Sequence, residues 1–93
     1  MRIRFYIDPE TEEPHIYEHG VDEDEVHDIL QNPIEDREAQ NDARAAVGQT
    51  RDGRYLRVIY KRDPEPDSVF VITAYDLQGK PLKALKRRRK KKI

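Results

Sequence analysis

A chain of 93 residues has room for one domain, with about one helix layer on one sheet as its largest possible core. It has no cysteine, which excludes disulfides, thiol catalysis and cysteine-based zinc sites and suits a reducing cytoplasm. Charged residues make up 40% of it, and the net charge of −1 hides a segregation: residues 8–42 hold fourteen carboxylates and one base, Arg37, whereas residues 80–93 hold nine bases and no acid. Such asymmetry points to an anionic partner for one end.

Residues 2–7 alternate, with Ile3, Phe5 and Ile7 on one side and Arg2, Arg4 and Tyr6 on the other, as a half-buried strand does. Asp8-Pro9-Glu10-Thr11 is a turn signal. Residues 14–19 fit a short second strand that packs Ile16 inward. A helix then opens with Asp22 as N-cap and Glu25 three residues on, the capping-box spacing, and with Val21 and Val26 spaced as a hydrophobic staple. Val26, Ile29 and Leu30 form its apolar stripe, the early acids suit its dipole, and Asn32-Pro33 ends it after about three turns.

Residues 34–42 are polar and read as a loop. Residues 43–50 predict a strand with Ala43, Ala45 and Val47 on one face, and Arg51-Asp52-Gly53 a hairpin turn. Residues 54–61 predict a central strand, residues 62–68 a second hairpin loop with Pro64 and Pro66, and residues 69–77 the most β-prone run of the chain. Gly79-Lys80-Pro81 breaks that run. The expected fold is α+β: a small antiparallel sheet of three to five strands, ending in a meander, with one main helix on one face. Residues 1–85 form the domain and residues 86–93 a basic C-terminal tail.

The tail is the strongest charge signal. Lys86, Arg87, Arg88, Arg89, Lys90, Lys91 and Lys92 repel one another unless a polyanion is present, and counterion release would drive RNA binding there. A solubilising tail is the bland reading, and a tail folded against the acidic residues 22–42 is a third. Arg54, Arg57 and Lys61 form a second cationic group with Tyr55 and Tyr60 between them, a mixture of phosphate forks and stacking faces that suits single-stranded RNA. Of the histidines, His15 and His19 are candidate general acids or bases. His27 reads as a helix-surface residue. The spacing offers His15 and His19 no third ligand, so neither metal nor cofactor is expected. No Gly-rich phosphate loop is present. No charged-then-apolar leader opens the chain and no apolar run reaches membrane-spanning length, so the expected location is cytoplasmic, with no membrane partner.

Three segments together resemble the BrnT branch of the RelE-like ribonuclease toxin superfamily. They are Glu18-His19-Gly20-Val21 before the acidic helix, Gly48-Gln49-Thr50 with Gly53-Arg54-Tyr55-Leu56 and Val58, and Val71-Ile72-Thr73-Ala74-Tyr75 ahead of the basic C-terminus. The resemblance implies helices packed on an antiparallel sheet and a toxin of a type II toxin–antitoxin pair that cleaves mRNA, often on the ribosome, without metal. A cognate antitoxin protein would neutralise it. Attack of a ribose 2′-OH on the adjacent phosphate would be assisted by preplaced cations and proton carriers. By resemblance His19 and Arg54 match motif positions, and Arg57 and Tyr75 complete the candidate catalytic set. Lys61, Lys86, Arg87, Arg88, Arg89 and Lys90 are the candidate RNA-binding residues. Two positions depart from the family: Glu18 stands where a lysine is usual, and Tyr75 where an arginine is usual. A non-catalytic RNA- or ribosome-binding domain, or a protein-interaction module that recruits a partner to its acidic segment or sheet edge, are alternatives on the same fold.

Overall fold

The computed structural model describes residues 1–91, with side chains described as far as Arg89. The fold is α+β: a five-stranded mixed sheet with a helix against each face. The strands are β1 (Arg2–Phe5), β2 (Glu35–Glu38), β3 (Arg44–Gln49), β4 (Tyr55–Arg62) and β5 (Ser68–Asp76), in the spatial order β1-β5-β4-β3-β2. The helices are α1 (Glu23–Gln31) and α2 (Gly79–Lys91).

Strands β2 to β5 form the expected antiparallel ladder, but β1 runs parallel to β5, with Arg2 opposite Ser68 and Phe5 opposite Val71. Hairpin logic governs only strands joined by short turns. The chain between β1 and β5 is long enough for the crossover that a parallel pair needs. Ile7, expected to face inward with Ile3 and Phe5, is half exposed, because the strand ends at Phe5 and only an isolated bridge to Pro14 follows.

Residues 14–19 are not a strand. His15–His19 is a 3-10 helix that packs along β5 beyond the end of β1, with Ile16 buried. Pro14 starts it and Gly20, at φ 68°, ends it in the left-handed region that only glycine enters without strain. The predicted capping box of α1 is present: the Asp22 carboxylate accepts from Glu25 N at 2.8 Å and Glu25 accepts from Asp22 N at 3.1 Å. Val26, Ile29 and Leu30 then face Leu56 and Val58 of β4, Val71 and Ala74 of β5, and Ala46 of β3. Helix α1 approaches β3 so closely at Gly48 that an added Cβ would stand 3.3 Å from Ile29 Cδ1.

The polar segment expected as a loop contains β2, an edge strand of four charged residues. Its backbone pairs with β3, Asp36 accepts from Arg44 at 2.9 Å and from the Tyr60 hydroxyl, and Glu35 accepts from Arg88 at 2.6 and 2.8 Å. Charged edge strands of this kind resist pairing with other chains.

The basic tail is not a separate unit either. Gly79–Lys91 forms α2, in which Pro81, Ala84, Leu85 and Arg88 recur at helical spacing, and residues 92–93 lie outside the described residues. Leu85 is fully buried, together with Leu77 and Ala45, in a seam apart from the main core. Cations in the last turns suit the negative end of the helix dipole. Among the described residues no helix is long and apolar enough to cross a membrane.

Candidate functional site

Strand alternation and register assign the side chains of the sheet to two faces. One carries Ala46, Leu56, Val58, Val71 and Ala74 and is sealed by α1. The other carries Arg57 opposite Tyr75, Ile59 opposite Thr73, and Val47 opposite Arg57, and is only partly covered by α2. Between α2 and this second face lies a cleft of about 240 Å³, lined by Arg57, Val47, Leu77, Ala84 and Arg88 among others.

The candidate catalytic residues converge at one end of this second face. Tyr75 comes from the end of β5, and its ring lies edge-to-face with that of His19, centroids 6.0 Å apart. Arg57 is the cross-strand partner of Tyr75 on β4. Arg57 Nε and Thr73 Oγ1 are buried with no hydrogen-bond partner among the described residues. Buried polar atoms without partners are uncommon, and these two lie on adjacent strands.

Arg54 is nearby but differently employed. Its Nε and NH2 donate to Asp76 at 2.6 and 3.0 Å, and its NH1 donates to Glu25 at 3.0 Å and to the Gly20 carbonyl at 2.7 Å. A longer contact of 3.4 Å reaches the His19 carbonyl. The Asp76 hydrogen bonds raise the Arg54 pKa and Glu25 adds to the effect; in return Arg54 holds Asp76 below the usual carboxylate range. Arg54 thus joins the α1 cap, the end of the 3-10 helix and the end of β5. It fixes the backbone beside His19 and Tyr75 while its own donors are committed, so its geometry is that of a positioning residue.

The RNA-binding candidates divide. Lys86 Nζ lies 5.2 Å from the Tyr55 ring centroid, in cation–π range, and Arg89 NH1 lies 3.5 Å from the Tyr55 hydroxyl. Tyr55 sits two residues before Arg57 on the same side of β4, so these cations continue the His19–Tyr75–Arg57 cluster. Lys86, Arg87 and Arg89 are exposed. Arg88 instead ties α2 to β2 through Glu35, so one tail residue does fold against the chain's own acidic segment. Lys61 is exposed towards the far end of β4, where Arg4 of β1 lies over the Phe70 ring at 5.1 Å and pairs with Asp63 at 2.6 Å. The Arg4 hydrogen bond, and then that of Ser68, lower the Asp63 pKa. The Lys90 side chain lies outside the described residues. His27 is on the exposed side of α1, as expected.

The chain carries a Domain of unknown function, DUF4258, whose family model matches residues 15–76. It belongs to the DUF4258 family. The match spans His19, Arg54, Arg57 and Tyr75 and stops short of β1 and α2. Nothing among curated proteins and nothing among solved structures matches the chain.

Proposed function

We propose that this DUF4258 chain is a cytoplasmic, RelE-like and BrnT-like toxin that binds RNA on the α2 side of its sheet and cleaves mRNA there without a metal, inhibiting translation until a cognate antitoxin protein covers that side. The observation that carries this reading is the meeting of His19, Tyr75 and Arg57, from three separate segments, on a face bordered by Lys86 and Arg89. In the reaction His19 accepts the proton of a ribose 2′-OH, whose oxygen attacks the adjacent phosphorus. Arg57 offsets the charge of the five-coordinate phosphate, and Tyr75 gives its proton to the departing 5′-oxygen. The products are a 2′,3′-cyclic phosphate and a 5′-hydroxyl end. Tyr55, with Lys86 above its ring, offers a stacking platform for a neighbouring base.

The test is induced expression in a bacterium, followed by incubation of purified chain with a single-stranded RNA oligonucleotide. Growth arrest and cyclic-phosphate ends are expected, and His19→Ala or Tyr75→Phe lowers the cleavage rate about 10²-fold or more. Normal growth and intact RNA under strong expression refute the catalytic reading.

A second reading, a non-catalytic RNA-binding domain, is favoured by the commitment of Arg54 to Asp76 and Glu25, which removes one cation from service to a phosphate. It predicts salt-dependent RNA binding without cleavage.

A further inference from the structure

Two carboxylates and one imidazole meet beside His19, whose ring centroid lies 5.4 Å from that of His15. His15 Nδ1 lies 3.4 Å from Asp8 Oδ2 and 3.6 Å from Glu18 Oε2, and the three donor atoms lie within 4.8 Å of one another. Spacing along the sequence left His15 without a third ligand. The turn at residues 8–13 supplies one, because Glu12 N donates to Asp8 O at 2.7 Å and Asp8 N donates to Glu13 O at 2.9 Å, folding Asp8 back over His15.

An imidazole Nδ1 carries at most one proton. It can serve one carboxylate, and here both oxygens stand at or beyond the limit of a hydrogen bond, while two like charges converge. A cation between them removes the conflict. With metal–ligand bonds of about 2.0–2.1 Å, adjacent ligand atoms of a tetrahedral zinc site are about 3.4 Å apart. The two spacings from His15 Nδ1 are close to tetrahedron edges, and the third, within 4.8 Å, has to close on the ion.

The ligands are also held as metal ligands usually are. Glu10 N donates to Asp8 Oδ1 at 3.0 Å, which leaves Oδ2 turned to His15. The His15 ring is wedged edge-to-face between Tyr6 and His19, at centroid distances of 6.2 and 5.4 Å. Glu18 follows His15 by three residues in a 3-10 helix, where such side chains eclipse.

We propose that Asp8 Oδ2, His15 Nδ1 and Glu18 Oε2 bind one divalent transition-metal ion, zinc by preference, with the fourth position open to solvent beside the exposed Glu18. One imidazole and two carboxylates are too few oxygens for calcium and favour zinc over magnesium. The bound ion clips the 8–14 turn onto the 3-10 helix and cancels the two negative charges that face His15. The site does not depend on the RNA reading above and stands or falls separately from it.

The experiment is calorimetric titration of the full chain with ZnCl₂, repeated with CoCl₂ while the visible absorption is recorded. One ion per chain is expected, with the intense d–d bands of tetrahedral cobalt and a raised thermal midpoint. Asp8→Asn and His15→Ala each weaken binding at least tenfold, whereas His27→Ala leaves it unchanged. Glu18→Gln changes a half-exposed side chain, so it keeps the assay decisive if the other variants fail to fold; it too abolishes the cobalt bands. No heat and no midpoint shift with the parent chain, or equal affinity in Glu18→Gln, overturns the proposal.

Discussion

The two helices make a useful contrast. Helix α1 has a complete capping box, carries Glu23, Asp24, Glu25 and Asp28 with no lysine or arginine, and sets Val26 and Ile29 into the core with no exposure. Helix α2 carries only positive charge, buries Leu85 as its main apolar anchor, and stands over a cleft instead of a filled interior. The charge segregation along the chain reappears between its two helices, with the acids on α1 and the bases on α2. Stability is concentrated beneath the acidic helix, and the unpartnered polar atoms lie on the face that the basic helix partly covers. A small domain separates the two tasks in this way because its core is too thin to host a polar site within it.

The contrast breaks most visibly if the α1 side is hollowed. Ile29→Ala is expected to cost about 3–4 kcal/mol, since the side chain is fully buried between α1 and Gly48 of β3, and a urea melt should report cooperative loss of the whole fold. Leu85→Ala is expected to cost about 2 kcal/mol and to act locally: hydrogen exchange should accelerate in α2 while β4 and β5 stay protected. If β4 exchanged equally fast, the two helices would not be energetically distinct.

Arg54→Ala tests the junction between the two sides. A loss of about 1–2 kcal/mol at neutral pH is expected, discounted for the partial exposure of the pair. The pH dependence follows from Asp76. Its folded pKa is lowered by Arg54, so its contribution is present above the unfolded carboxyl value of about 4 and is lost as pH falls through the folded value. The variant should therefore show a flatter decline of stability in acid than the parent chain. The smallest structural effect is expected from Lys86→Ala with Arg89→Ala. Thermal midpoint stays unchanged, while the slope of log K for single-stranded RNA against log salt falls by about 0.7 per cation. An unchanged slope would remove α2 from the RNA surface.

Features written in local chemistry were legible in the sequence. The Asp22–Glu25 cap, the Asp52-Gly53 turn and the β-branched run of β5 each need only near neighbours to be recognised. Strand β2 was not legible because none of Glu35, Asp36, Arg37 and Glu38 carries an apolar side chain; what holds it is backbone pairing and ion pairs to distant residues. The 3-10 helix at His15–His19 was misread because alternation buries Ile16 equally well in a strand. In α2 residues 81, 84, 85 and 88 recur at helical spacing, but the stripe is short and the cations around it have the pattern of a solvated segment. The sequence singles out His19, Arg57 and Tyr75 as candidates, and the fold places Tyr75 beside the other two. The commitment of Arg54 was not legible, since its carboxylate partners stand 22 and 29 residues away.

Strand β1 has a consequence for how the molecule comes to be made. Among the described residues its one sheet neighbour is β5, so β1 can find its place only after residue 71 has left the ribosome. A nascent chain must therefore hold Ile3 and Phe5 unsatisfied until β5 emerges, and the closing of that seam is a long-range step in folding.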